Sequence, residues 1–215
     1  MITTATIVTP TRPGREDELL DRCIPSVMRQ STLDIRVDHL VISDPNPELA
    51  EQVRGDYPYV QFVQFNETWR DGRRDQSLGA FPWYIGTMLA LGDFVGFLGD
   101  DDELLPHHVE THVNTMISEN VDFTVSQVQF KVNGEDRFVI GDDTFEWCHL
   151  DSDGIMCRRI AFRVANWDPF DLQPPTADAA DYRLVRDWRR AGLTGHHIPC
   201  VTAIHHDGWA AGGTS

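Results

Sequence analysis

The chain has 215 residues and a mass of 24.4 kDa, enough for one domain whose core needs no disulfide or metal to hold it. Its 18 Lys+Arg face 34 Asp+Glu for a net charge of −16, a field that repels long nucleic acid and anionic membranes. Hydrophobic residues make up 41%, a globular and not a disordered composition.

Cys23, Cys148, Cys157 and Cys200 are widely spaced and form no C-x-x-C. They fit neither a zinc ribbon nor a disulfide scaffold and are expected as reduced thiols. Met1 to Thr11 has no basic start and no apolar core of a leader, so no signal peptide is expected. No apolar run reaches the roughly 18 residues that a span needs, so no membrane crossing is expected. The expected setting is soluble and cytoplasmic.

Ala5 to Thr9 is a short β-branched strand, closed by turn residues from Pro10 to Gly14. Glu16 to Gln30 places Leu19, Leu20, Cys23, Val27 and Met28 at helical spacing, with Pro25 as a kink or late start. Val37 to Ser43 predicts a second strand, Glu48 to Arg54 a short helix and Val60 to Phe65 a third strand. Thr68 to Gly79 is polar, Arg-rich and aperiodic, a loop; Pro82 to Leu91 predicts a helix. Phe94 to Leu98 is apolar on both faces, as a central parallel strand is. This β-α-β-α-β alternation implies a mainly parallel sheet with helices on both faces.

The second half is less regular. His108 to Glu119 predicts a helix, Phe123 to Lys131 and Phe138 to Ile140 a hairpin around Asn133-Gly134, and Val201 to Ile204 a strand. Asp178 to Ala191 predicts a helix closed by Gly192. Ala210 to Ser215 reads as a tail. With no repeat or linker, one domain is expected: about 1–102 as a first half and about 103–209 as a second.

Asp100-Asp101-Asp102 directly follows the buried strand. Ligands of open α/β sheets bind beyond the carboxyl ends of the strands, and three adjacent carboxylates repel unless a cation joins them. Hard oxygen ligands suit Mg²⁺ or Mn²⁺, which in turn hold nucleotide phosphates. The other reading is a solvated acidic turn. Arg70, Arg73 and Arg74 form a basic island suited either to diphosphate oxygens or to local pairing with Asp71 and Asp75. Trp69, Trp83 and Tyr84 read as core or rim packing, or as a platform for a base or sugar. His108 and His112, spaced H-x-E-x-H, do not make a zinc pair. Asp142-Asp143 and Asp151-Ser152-Asp153-Gly154 do not continue as an EF-hand loop. Neither a P-loop nor a Rossmann glycine fingerprint is present.

The segment Gly92-Asp93-Phe94-Val95-Gly96-Phe97-Leu98-Gly99-Asp100-Asp101-Asp102-Glu103-Leu104-Leu105-Pro106 resembles the "GEYIxxLxDDDxxxP" stretch of family 2 glycosyltransferases. Val8-Thr9-Pro10-Thr11-Arg12 is similar to that family's "IIPTYNR", Cys23 to Gln30 to its "CLxSVLxQ" and Val41 to Asp44 to its second-strand "VDD". Asp151 to Arg159 resembles its "DxxxxxxRR" strand, and Asp181 to Arg186 the helix of its "ED" motif. The matches follow the family's order from about residue 5 to 207.

The resemblance implies a GT-A fold and transfer of a sugar from a nucleotide-diphosphate donor to an acceptor hydroxyl. It implies that Thr9, Pro10, Thr11 and Arg12 floor the nucleotide pocket and that Asp44 holds base or ribose. Arg74 joins them as the donor-side candidate of the basic island. Gly99 stands at the first Asp of the family's D-x-D, leaving Asp100 for a nucleotide contact and Asp101 and Asp102 as metal ligands. A late histidine, His206 or His205, is a further candidate ligand. Asp181 falls at the catalytic base, with Ala180 in place of the preceding Glu and Asp178 one turn earlier as a substitute. Asp151 and Asp153 are expected to flank the acceptor. One base and no opposing carboxylate imply a single displacement with inversion. Asp181 reads otherwise as a helix carboxylate pairing with Arg183 or Arg186. A nucleotidyltransferase on a related sheet and an inactive sugar- or nucleotide-binding module are the alternatives. The resemblance is compatible with a homodimer, but no surface stripe marks one.

Overall fold

The computed structural model of the chain describes residues 2–30, 32, 34–66, 80–146, 149–164 and 180–206. The elements run β1 (Thr3–Thr11), α1 (Glu16–Glu18), a π-helical turn (Leu19–Cys23), α2 (Ile24–Met28), β2 (Ile35–Ser43), α3 (Pro47–Asp56), β3 (Val60–Gln64), α4 (Ala80–Leu89) and β4 (Phe94–Phe97). There follow β5 (Glu103–Leu104), α5 (His108–Ser118), β6 (Phe123–Val132), β7 (Glu135–Ile140), a 3₁₀ turn (Ser152–Gly154), β8 (Ile155–Arg158), α6 (Ala161–Val164), α7 (Ala180–Arg190) and β9 (Gly195–His206).

One sheet takes the order β3-β2-β1-β4-β8-β6-β9-β5, with β7 hairpinned onto β6. The first four strands in that order are parallel, as the alternation predicts. The second half supplies the antiparallel part of the mainly parallel sheet: β8 runs antiparallel to β4 and β6, while β9 runs parallel to β6. Helices cover both faces. Ile7 and Val41 point to the side packed by Leu19, Ile24, Leu49, Val109 and Met116. Val8, Leu40 and Ile42 point to the side packed by Leu184, Val185 and Trp188. This is the period-2 alternation of a strand buried on both faces.

Pro25 explains the first connection. It lacks the N–H for a bond one turn back, and the chain widens before it, with Ile24 N–H donating to Leu19 O. Such π turns absorb a break in the ladder without ending the helix. On the other face, α4 lies so close to β1 that a Cβ at Gly86 would stand 2.1 Å from Val8 Cγ1. The fold places the carboxyl ends of β1, β2 and β4 at one edge of the sheet, where β9 also ends. Among the described residues no helix is long and apolar enough to cross a membrane.

Candidate active site

Strand β1 ends at Thr11, whose Oγ1 donates to Asp100 Oδ2 at 2.9 Å. Asp44 follows β2, is buried, and its N–H donates to Thr11 O at 3.4 Å. Two arginines hold the middle of the acidic turn. Arg15 Nη1 donates to Asp101 Oδ2 at 2.7 Å and Arg22 Nη1 to the Asp101 carbonyl at 2.6 Å. Asp102 turns inward, only 2% exposed, and its Oδ1 accepts the His206 N–H at 2.7 Å. Gly99 makes this possible, because a Cβ there would stand 2.3 Å from Asp102 Oδ2. The absence of a side chain at Gly99 is therefore the space into which Asp102 folds.

The loop before β8 meets the turn from the other side. Asp153 Oδ1 accepts the Gly99 N–H at 2.9 Å, and Asp151 Oδ1 accepts the Asp153 N–H at 2.9 Å. His205 Nδ1 stands 3.4 Å from Asp102 Oδ2, 3.4 Å from Asp151 Oδ2 and 3.8 Å from Asp153 Oδ2. Asp102, Asp153 and His205 each turn one ligand atom into a common space, all within 4.8 Å of one another. Asp153 Oδ2 and His205 Nδ1 are buried there without a hydrogen-bond partner. Two orphaned polar atoms facing a buried carboxylate fit a hard divalent cation with oxygen and imidazole ligands.

Burial and the crowding of like charges set the electrostatics. Burial, then Asp101, pushes Asp100 up to about 6. Burial pushes Asp102 up to about 7 against the pull of His205, and burial with Asp102 raises Asp153. Burial alone would lower His205, but Asp151 and Asp102 outweigh it and push it up to about 9. The same carboxylates that favour a proton on His205 would favour a cation in its place, the imidazole giving up that proton to act as a ligand.

Asp181 lies in the first turn of α7, and its Oδ1 accepts the Tyr182 N–H at 2.7 Å. Burial first, then the nearby Asp151 carboxylate, pushes it up to about 7. A carboxylate near this value is able to exchange a proton at neutral pH.

The structure thus brings Thr11, Asp100, Asp101, Asp102, Asp151, Asp153 and Asp181 to one end of the sheet. Arg12 is close enough to lower Asp100 by its charge, while Thr9 turns away, bonding buried His39 Nε2 at 2.9 Å. Pro10 is half-buried within β1. The two late histidines separate. His205 faces the carboxylates, whereas the His206 imidazole pairs with Glu103 Oε1 at 3.1 Å. Asp101, expected as a ligand, has its carboxylate on Arg15 instead. Arg74 and Asp178, with Arg70, Arg73 and Trp69, lie outside the described residues. Arg15, Arg22 and Glu103 were not singled out from the sequence. Their contacts join positions tens of residues apart or more, which no local pattern displays. His108 and His112 are buried in the core, with His108 Nδ1 on Thr202 Oγ1 and His112 Nδ1 on Thr124 Oγ1, both at 2.8 Å.

No protein-family model matches the sequence, and no curated protein sequence matches it. Solved structures do. The chain is similar to the glycosyltransferase TarS of S. aureus at a TM-score of 0.70 and 12% identity, over 95% of this chain and 37% of that one. It is similar to TarS 1-349 in complex with UDP at a TM-score of 0.70 and 13% identity, over 95% of this chain and 60% of that one. TarS 1-349 in complex with UDP-GlcNAc gives a TM-score of 0.66 at 13% identity, over 95% and 58%. The chain therefore spans less than two thirds of these neighbours, and at such identities the likeness establishes the fold. The chain has a GT-A-like glycosyltransferase fold.

Proposed function

We propose that this chain is a glycosyltransferase that moves a sugar from a nucleotide-diphosphate donor to an acceptor hydroxyl with inversion. The observation that carries the reading is the meeting of Asp102, Asp153 and His205 beyond the carboxyl end of β4, their ligand atoms within 4.8 Å of one another, with Asp181 close enough to the neighbouring Asp151 to feel its charge. A solvated acidic turn would not bury Asp102 or leave Asp153 Oδ2 and His205 Nδ1 buried without partners.

The donor lies over the ends of β1, β2 and β4, about residues 1–102, with Thr11, Arg12, Asp44 and Asp100 against the nucleotide. Residues of about 103–209 present the acceptor, flanked by Asp151. The acceptor oxygen attacks the anomeric carbon as the bond from that carbon to the diphosphate oxygen breaks. Asp181 takes the hydroxyl proton as the new bond forms. Asp102, Asp153 and His205 would hold Mn²⁺ or Mg²⁺, in place of the Asp101, Asp102 and His206 set expected from the resemblance. When bound, the cation neutralises charge that builds on the departing diphosphate. Arg15 keeps Asp101 paired, so this carboxylate does not repel the donor.

The TarS complexes with UDP and UDP-GlcNAc support UDP-sugars as the first donors to try. The test is UDP release from a panel of UDP-sugars with Mn²⁺, by the native chain and by Asp181→Asn. Release that stops in the variant supports the reading. Equal release from both, or none from the native chain with any nucleotide-sugar, overturns it.

A further inference from the structure

The end of the sheet opposite the acidic turn carries a cleft of about 470 Å³. Thr3 and Phe94, the first residues of β1 and β4, lie on it. At about 3.3 Å per residue, β1 sets roughly 25 Å between Thr3 and Thr11, so a molecule in this cleft does not touch the donor. Strand β8 runs antiparallel to β4 and pairs Arg158 with Phe94. Asp151, before β8, therefore reaches the candidate active site, whereas Arg158 and Arg159, at the far end of the strand, line the cleft together with Arg163.

Three arginines against one carboxylate make this lining basic in a chain of net charge −16. The carboxylate is already engaged: Asp93 Oδ2 accepts the Thr4 N–H at 3.3 Å and the Thr4 hydroxyl at 2.9 Å. Arg158 is fixed by Nε on Val121 O and Nη2 on Met116 O, both at 2.9 Å, and its guanidinium lies over the Phe94 ring. The other two are held less. Arg159 Nη1 reaches Ala90 O only at 3.5 Å. Arg163 is exposed, and its side chain has no ion pair or hydrogen bond among the described residues. The walls between these charges are apolar, with Phe94 from β4, Ile117 from α5 and Ile160 after β8. Ile117 is 53% and Ile160 50% exposed. Large apolar side chains left open to water beside unpaired cations mark a binding surface.

We propose that this cleft is a second ligand site, separate from the donor site, and that its ligand is a small organic anion. A carboxylate, phosphate or sulfonate on that ligand takes the free donors of Arg159 and Arg163, and its apolar body covers Ile117, Ile160 and Phe94. The volume is that of small-molecule sites, which combine apolar walls with a few placed polar groups. A polyanion or an anionic bilayer calls for a broad positive face, and here the positive charge is confined to one cleft of an acidic chain.

The test is a fluorescence titration with anilinonaphthalene sulfonate, an aromatic body with one anionic group, and with phenylnaphthylamine, the same body without the charge. It uses the native chain, the double variant Arg159→Gln/Arg163→Gln, and Ile117→Ser. Arg163 and Ile117 are exposed, so the variants should fold, with Tm within about 2 °C of the native chain. The native chain should bind the sulfonate, and saturating UDP with Mn²⁺ should leave that binding unchanged. The double arginine variant should bind it roughly tenfold or more weakly, the weight of lost charge-assisted hydrogen bonds, and no more tightly than phenylnaphthylamine. Ile117→Ser should weaken it about three- to tenfold through lost apolar cover. Octanoate or naphthyl phosphate should displace the probe. No binding by the native chain, displacement by UDP, or equal binding by the arginine variant overturns the proposal. So does displacement by neither small anion, or by phosphatidylglycerol vesicles alone.

Discussion

Asp181→Asn separates a catalytic carboxylate from a structural one because the two roles make opposite demands. Asn is isosteric and keeps an oxygen for the Tyr182 N–H, but it cannot take a proton. Transfer should fall by about 10²- to 10⁴-fold, the usual weight of a general base, with UDP binding retained. Stability should move the other way. Asp181 is raised from 3.8 to about 7 in the folded chain, so burial disfavours its ionised form. Below pH 3.8 both states hold the proton and nothing is lost. Between there and pH 7 the unfolded chain ionises first, and the native protein loses stability as pH rises. Three pK units at about 1.36 kcal/mol each set a ceiling of about 4 kcal/mol, and partial solvent exposure reduces this to about 1–2 kcal/mol. At pH 8 the variant should therefore unfold roughly 2–8 °C above the native chain, and at pH 4 together with it. Calorimetry at the two pH values measures the gap, and UDP release measures turnover. A Tm gap that does not change with pH, or a variant with full turnover, would refute the reasoning.

Asp151→Asn removes the neighbouring charge that raises Asp181; the acid limb of the rate profile, near pH 7 in the native chain, should shift to lower pH. Gly99→Ala puts a Cβ 2.3 Å from Asp102 Oδ2. It should cost about 1–3 kcal/mol, as overpacking does, and weaken the effect of Mn²⁺ on UDP binding, both read from thermal unfolding. Buried His39 is held neutral, its pKa lowered by burial to about 3. The unfolded chain takes up a proton there as pH falls below about 6.5 and the native chain does not, so His39 favours unfolding in acid. His39→Gln should flatten that part of the stability profile, as urea titrations at pH 7 and pH 5 would show.

The architecture of the first half was legible because its signals are local. Phe94 to Leu98 is apolar on both faces and short, the pattern of a central parallel strand, and Phe94–Phe97 is that strand. The pairing of the second half was not. Strand β9 runs from Gly195 to His206, but Pro199 and the polar pair His196-His197 hide all except its last apolar residues. Register shifts around Gln127 displace the alternation, so adjacent His205 and His206 could not be assigned to faces by parity. Asp101 was read as a ligand because nothing local shows Arg15, 86 positions earlier in the chain, reaching it. Gly99 read as a departure from a motif. In three dimensions it is the space that Asp102 occupies.

The central claim is a donor site for a nucleoside diphosphate that a cation completes. Thermal unfolding with UDP, in Mn²⁺ and again in EDTA, tests it most directly, on the native chain and on Asp153→Asn. The variant keeps an oxygen for the Gly99 N–H and removes a cation ligand. Near 100 times its Kd, UDP should add about 2.7 kcal/mol, or on the order of 5–10 °C. The account predicts that shift for the native chain in Mn²⁺ and a much smaller one in EDTA or in Asp153→Asn. No shift with UDP or any other nucleoside diphosphate, in either condition, would contradict it.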